Sequence, residues 1–392
     1  MSQFLPSSIA EACDVVRAAK AKNRTLRIEG GGTRRGLGRP VDASDSLGTR
    51  GLAGIVFHEP AEMTIRAKAG TPLAELEAAL ESNGQMLPFE PMDHRALLGT
   101  QGAPTIGAVA ACNVSGPRRL RAGAARDALI GVRFVNGAGE DISSGGRVMK
   151  NVTGLDLVKL QCGAYGTLGL LTEVTFKLLP KPEASGTLVI EGLDERKAIE
   201  AMSTALRSPF EVSGAAHAPD GDVSLTAIRI EHFAPSVAYR LGELEKLLGS
   251  FGPARRLDGD TSQAFWRGVR DVEALAEPRE AAIWRVSIRP SHAADYLAAL
   301  RQSGLTFRFL LDHGGGLIWL GVAEDGDGAP AIRAVLPAGA GHAMLVRASG
   351  AARAQAPAFQ PLAAPMMKLT SGVKASIDPG GIFNPGLMYD GV

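Results

Sequence analysis

A short apolar segment, Leu26-Arg27-Ile28, runs straight into Glu29-Gly30-Gly31-Gly32-Thr33-Arg34-Arg35-Gly36-Leu37-Gly38. Few folds accommodate five glycines in so short a loop behind a strand. Glycine has no Cβ, so backbone N–H groups can turn inward and approach an anion closely. Successive inward N–H groups form a concave nest for phosphate oxygens, and Arg34 or Arg35 can add fixed charge. The alternative for a glycine run taken alone is a flexible surface turn. Two common phosphate motifs are excluded. Gly31 and Gly36 have P-loop spacing, but Leu37 stands where the lysine is required. The dinucleotide pattern G-x-G-x-x-G breaks at Arg35.

The 48 glycines are well above the average share and sit in clusters. That pattern points to loops that turn sharply or approach a ligand, in a chain of 392 residues with room for two or three domains. The net charge of +1 and the aromatic content of 5% give no support to nucleic acid as a partner. Cys13, Cys112 and Cys162 are far apart and form no Cys-x-x-Cys, so no iron–sulfur or zinc site is expected from local spacing. They suit a reducing compartment. The N-terminal residues lack the pattern of a secretory signal, and no stretch is apolar enough to span a bilayer. The expected location is cytoplasmic, with peripheral membrane association left open.

Along the chain, Ile9, Ala12, Val15, Val16 and Ala19 recur at helical spacing behind an N-cap at Ser7 or Ser8. Residues 54–57 and 64–69 read as strands, and Leu73, Leu76 and Leu80 as one face of a helix. Pro104-Thr105-Ile106-Gly107-Ala108-Val109-Ala110-Ala111-Cys112-Asn113-Val114-Ser115-Gly116 is built of small residues. Its alanines suit tight core packing, whereas Thr105, Gly107 and residues 113–116 suit ligand contact. Residues 129–142 read as a hairpin. A third glycine cluster, Gly163-Ala164-Tyr165-Gly166-Thr167-Leu168-Gly169-Leu170-Leu171, precedes a strand, and Pro180 and Pro182 mark a domain boundary. Strand–helix alternation then continues to about residue 322. Ala/Pro-rich residues 351–365 read as a mobile link. Two X-Pro turns near the C-terminus imply a defined path there.

In this order the clusters resemble the FAD-binding domain of the vanillyl-alcohol oxidase and p-cresol methylhydroxylase (PCMH) family: glycine loop, Thr105-Ile106-Gly107, Arg126-Asp127, Lys150-Asn151-Val152-Thr153-Gly154, and Gly163-x-x-Gly166-x-Leu168-Gly169 before a strand. Phe383-Asn384-Pro385-Gly386 is similar to the family's C-terminal return. The resemblance implies an α+β fold: a two-subdomain FAD-binding domain (1–182), an α+β cap (183–348), and a linker with a returning C-terminal segment (349–392). It implies that Gly30, Gly31, Gly32, Thr33, Arg34, Arg35 and Gly36 hold the pyrophosphate. Pro104, Thr105, Gly107, Asn113, Ser115 and Gly116 would line the isoalloxazine and ribityl side. Gly166, Gly169 and Leu171 would lie near the adenine or diphosphate, and Asn384 near the flavin ring. The loop has no His, and Cys112 sits in a small-residue run where a buried thiol is expected, so FAD is expected to be non-covalent.

Residues 150–156 and 383–386 are also similar to flavoprotein subunits of bacterial glycolate oxidases. That implies a D-type flavoprotein partner, an F-type iron–sulfur partner and a small 2-hydroxy acid substrate. The cap histidines His217, His232, His292, His313 and His342 show no ligand-like spacing, so no metal is expected. Arg229, Glu231 and His232 are the only candidate catalytic group, and the catalytic residues stay unassigned. Three readings remain: a subunit of a 2-hydroxy acid oxidase, a stand-alone oxidoreductase on another hydroxy acid or sugar, and a non-catalytic flavin-binding scaffold.

Overall fold

A computed structural model describes residues 1–146, 155–220, 223–323, 328–337 and 339–392. The stretch 150–154 that carries part of the resemblance lies outside the described residues.

The first helix, Ile9–Ala21, starts where the Ser8 hydroxyl accepts the Glu11 N–H. It buries Ala12, Cys13, Val16 and Ala19 against Leu26, Leu47 and Phe383. A small parallel sheet places strand Asp45–Gly48 between Gln3–Phe4 and Leu26–Glu29. The C-terminal end of strand Leu26–Glu29 opens into the glycine loop. Beside it lies an antiparallel sheet in the order Ile55–Glu59, Thr64–Lys68, Leu170–Lys177, Leu129–Val135, Asp141–Gly145. Helices Leu73–Glu81 and Ile106–Ala111 join the core of this sheet. Pro72 is the N-cap of the former.

The second large unit is one antiparallel sheet of eight strands: Ala254–Asp258, Ala184–Glu191, Val223–His232, Gly214–Asp220, Phe307–Asp312, Leu317–Val322, Ala282–Ile288, Gly341–Arg347. Its two faces follow the period of 2. Leu188, Ile228, Trp284, Leu311, Ile318 and Leu345 pack under the cap helices. Their neighbours Val189, Ala227, Ile283, Leu310, Trp319 and Met344 join the core of the first unit. The sheet is therefore a roof whose underside is shared with the floor.

The Ala/Pro-rich stretch is not a loose link. It holds helix Gly350–Gln355, the Leu345 N–H donates to the Ala358 carbonyl at 2.7 Å, and Ala358 and Phe359 are buried. Helix Ala364–Ile377 then leads the chain back. Phe383 bridges Leu26 in parallel, extending the small sheet. The buried Lys374 ammonium fixes this return, donating to the carbonyls of Thr167 (2.6 Å) and Phe383 (2.8 Å) and to Asp378 Oδ2 (2.8 Å).

Candidate functional site: a glycine-walled cavity with unpaired arginines

A cavity of about 340 Å³ opens where strand Leu26–Glu29 ends. Gly30, Gly31, Gly32, Thr33, Arg34 and Arg35 line it, with Gly107, Gly166, Gly169, Leu171 and Asn384. Within the loop the glycine requirement is steric at Gly30 and Gly31. A Cβ on Gly31 would stand 1.7 Å from the Ala103 carbonyl oxygen, and one on Gly30 would stand 2.3 Å from Thr105 Oγ1. The backbone of this loop thus lies directly on the 103–105 segment, leaving its other side open to a ligand.

Electrostatics sharpen the picture. Five arginines line the cavity: Arg27, Arg34, Arg35, Arg39 and Arg353. Arg27 and Arg35 share Glu29, at 2.8 and 2.5 Å, and Arg39 reaches Asp390 at 3.7 Å. Among the described residues, Arg34 and Arg353 have no carboxylate partner. Burial lowers the pKa of both below that of a free arginine, which makes their charge costly without an anion. Arg34 Nε and Nη1 and Thr105 Oγ1 are buried and have no hydrogen-bond partner among the described residues. A wall that admits only glycine, orphaned donors and two unmatched arginines fit the anionic diphosphate of a dinucleotide.

Asn384 closes one side. Its Oδ1 accepts the Ile28 N–H at 2.8 Å and its Nδ2 donates to the Tyr165 carbonyl at 2.8 Å, so it staples the returning C-terminus to two cavity walls. Cys112 also lines the cavity. Burial pushes its thiol up to about 11, against the opposing effect of Arg34, so it stays protonated and poorly nucleophilic.

The remaining sequence-predicted residues lie outside the lining. Gly36 faces Leu98. The Pro104 carbonyl accepts the Leu73 N–H at 2.8 Å, and Thr105 forms the floor beneath Gly30. Asn113 Oδ1 accepts the Arg126 N–H and Ser115 Oγ accepts the Ala125 N–H, both at 3.0 Å. The Gly116 N–H donates to the Phe89 carbonyl at 2.9 Å. These residues shape the walls around the cavity.

Two members of the candidate catalytic group, Arg229 and Glu231, are engaged elsewhere. Arg229 forks onto Glu90 at 2.8 and 2.9 Å, and Arg118 forks onto Glu231 at 2.8 and 3.0 Å. Arg229 also lies 4.7 Å over the Trp266 ring. This buried four-charge network ties floor to roof and leaves neither Arg229 nor Glu231 free for chemistry. His217, held down at about 4 by burial, is bonded to Thr226 at 2.9 Å. Among the described residues no cluster of three or more His, Cys, Asp or Glu could hold a metal.

Two lining residues carried no sequence signal. Arg353 comes from the stretch expected to be mobile, and its Nη2 and Nε donate to the Gly38 carbonyl at 2.7 and 3.2 Å. Tyr165 sits inside the third glycine cluster with φ +54°. Burial raises its hydroxyl pKa well above the usual range, so it remains a neutral donor.

Fold and cavity together define a PCMH-type FAD-binding flavoprotein. Residues 3–144 match a family described as an FAD binding domain. The chain is 36% identical over 377 residues to the glycolate oxidase subunit GlcE of Escherichia coli K12, covering 95% of each, and it belongs to that family. It is also 36% identical over 127 residues to the glycolate oxidase subunit GlcD of Bacillus subtilis, covering 32% of this chain and 26% of that protein. In fold it resembles 4-ethylphenol oxidase from Gulosibacter chungangensis, with TM-score 0.76 and 14% identity over 99% of this chain and 89% of that one.

Proposed function

We propose that this chain is the non-covalent FAD-binding subunit of a glycolate (2-hydroxy acid) oxidase complex, taking part in electron transfer as glycolate becomes glyoxylate. The observation that carries the reading is similarity to GlcE over 95% of each chain combined with an anion cradle in which Arg34 and Arg353 have no carboxylate partner among the described residues. Gly30 to Gly32 and Thr33 hold the diphosphate through backbone N–H groups, and Arg34 and Arg353 match its charge. Gly107, Gly166, Gly169, Leu171 and Asn384 flank the rest of the cofactor. Pro104, Thr105, Asn113, Ser115 and Gly116 act from behind this wall, by holding its loops. Residues 1–182 form the FAD-binding domain, 183–348 the cap and 349–392 the returning segment. FAD, when bound, supplies the hydride- and electron-accepting chemistry. A D-type flavoprotein subunit and an F-type iron–sulfur subunit complete the assembly, and association with a membrane comes through that complex. No helix among the described residues is long and apolar enough to cross one.

An anaerobic absorption spectrum of the purified chain, before and after glycolate and D-lactate, tests this. Oxidised flavin bands that bleach only once the partner subunits are added support the subunit reading. Bleaching by the isolated chain favours a stand-alone oxidoreductase. Absence of flavin after incubation with FAD refutes the cradle.

A further inference from the structure

The chain itself closes the cofactor cavity at the end lined by Ala111, Cys112 and Tyr165. Among the described residues, none of residues 183–348, the cap, lines the cavity. The roof nevertheless comes down onto this end. Tyr165 is held against the floor, its N–H donating to the Ala111 carbonyl at 2.8 Å. Its hydroxyl lies 3.6 Å from Met344 Sδ on roof strand Gly341–Arg347. Its ring meets Phe359 edge-on, with centroids 5.0 Å apart, and Phe359 in turn meets Tyr389 at 5.9 Å. Met344 and Phe359 are only 6% and 9% exposed. Side chains from a glycine cluster, a roof strand and the Ala/Pro-rich stretch thus converge on one spot.

Backbone bonds hold all three in place. The Leu345 N–H donates to the Ala358 carbonyl at 2.7 Å, which ties the strand of Met344 to the segment of Phe359. Asn384 Nδ2 donates to the Tyr165 carbonyl at 2.8 Å, which ties Tyr165 to the returning terminus. Arg285 is paired in register with Met344 but lies outside the cavity lining. What the roof sets against Tyr165 is therefore a thioether. A buried phenol usually takes a strong hydrogen-bond acceptor. The acceptor here is a weak one, sulfur, and sulfur–aromatic and ring–ring contacts supply the rest of the packing. A small acid anion entering at this point would displace close-packed side chains. It would also exchange water for thioether and aromatic carbon, which is unfavourable for a charge.

We infer that Tyr165, Met344 and Phe359 form a plug that bars small hydroxy acids from the flavin side of the cavity, so that acid oxidation does not take place at this subunit's cofactor. This rests on reading the cavity as the flavin site, with the isoalloxazine at the end lined by Ala111 and Cys112.

Sulfite, a small anion that adds directly to oxidised flavin and bleaches its visible band, tests whether the end is closed. The FAD-loaded full-length chain is mixed with sulfite and followed by absorption. Met344→Ala and Phe359→Ala each open space beside Tyr165 and should bleach about tenfold faster than wild type or more. Met344→Leu keeps the volume and should behave as wild type. Leu345→Ala controls for general loosening. It truncates the next residue of the same strand, on the face under the cap helices, and should also behave as wild type. If Phe359→Ala does not fold, the contrast between Met344→Ala and Met344→Leu decides alone. Wild type bleaching as fast as Met344→Ala, or Met344→Ala bleaching no faster than Leu345→Ala, overturns the plug and leaves the flavin reading standing. A chain that takes up no FAD overturns the flavin reading, and the plug with it.

Discussion

Replacing Glu90 with Gln should loosen the cap from the FAD-binding unit, at a cost that can be worked from the geometry. Glu90 accepts two bonds from Arg229 and the Arg118 N–H at 3.0 Å, with its side chain 13% exposed and that of Arg229 3% exposed. Burial alone would raise its pKa, yet Arg229 and Arg118 hold it at about 2 against an ordinary 4.5. At about 1.4 kcal/mol per pH unit, that difference corresponds to roughly 3 kcal/mol of stabilisation. Removing one partner of a buried pair costs about 3–5 kcal/mol by an independent route, because the other charge is left unmatched. The pKa is depressed on folding, so the stabilisation is complete above about pH 4.5 and is lost as pH falls towards 2.

Urea unfolding followed by tryptophan fluorescence reads this directly, since Trp266 lies beneath Arg229. Glu90→Gln should be weaker by about 3 kcal/mol at pH 7, with the gap to wild type narrowing between pH 5 and 3. A gap under about 1 kcal/mol at pH 7, or one that acid does not narrow, would show that the network is electrostatically idle and refute the reasoning.

Three further outcomes follow from single contacts. Gly31→Ala drives a methyl into the Ala103 carbonyl, 1.7 Å away, so the purified protein should retain its circular dichroism and lose nearly all bound FAD. Arg353→Gln removes an unmatched charge and the tie to Gly38. Its FAD dissociation constant, measured by flavin fluorescence, should rise about tenfold. Lys374→Met strands buried Asp378 and two carbonyls and should cost about 3–5 kcal/mol in urea unfolding. Adding Asp378→Asn should recover part of that cost, and strict additivity would argue against a coupled pair.

What was legible in the chain follows the range over which each constraint acts. The glycine loop could be read because a run of glycines is itself a local mark, although the contact that demands Gly31 is a distant one, with Ala103. The helix of small residues, Ile106–Ala111, was likewise readable as core packing. Strand Gly214–Asp220 was not, since its alanines have little β-propensity and owe their extended form to pairing on both sides. The 351–365 stretch misled for the opposite reason. Its Ala/Pro composition resembles a linker's, but Phe359 stacks edge-on to Tyr165, with ring centroids 5.0 Å apart. Arg229 and Glu231 showed charge among apolar neighbours, which a catalytic pair and a structural lock share; only the positions of Glu90 and Arg118, more than a hundred residues away, separate the two. Arg353 is the extreme case. In sequence it is one charge inside an Ala/Pro-rich stretch, and its place in the cavity wall depends on the fold that brings it to the Gly38 carbonyl. A site assembled from two glycine loops, a helix of small residues and a returning terminus is written in how these segments pack together, and there a residue left without a partner says more than any motif.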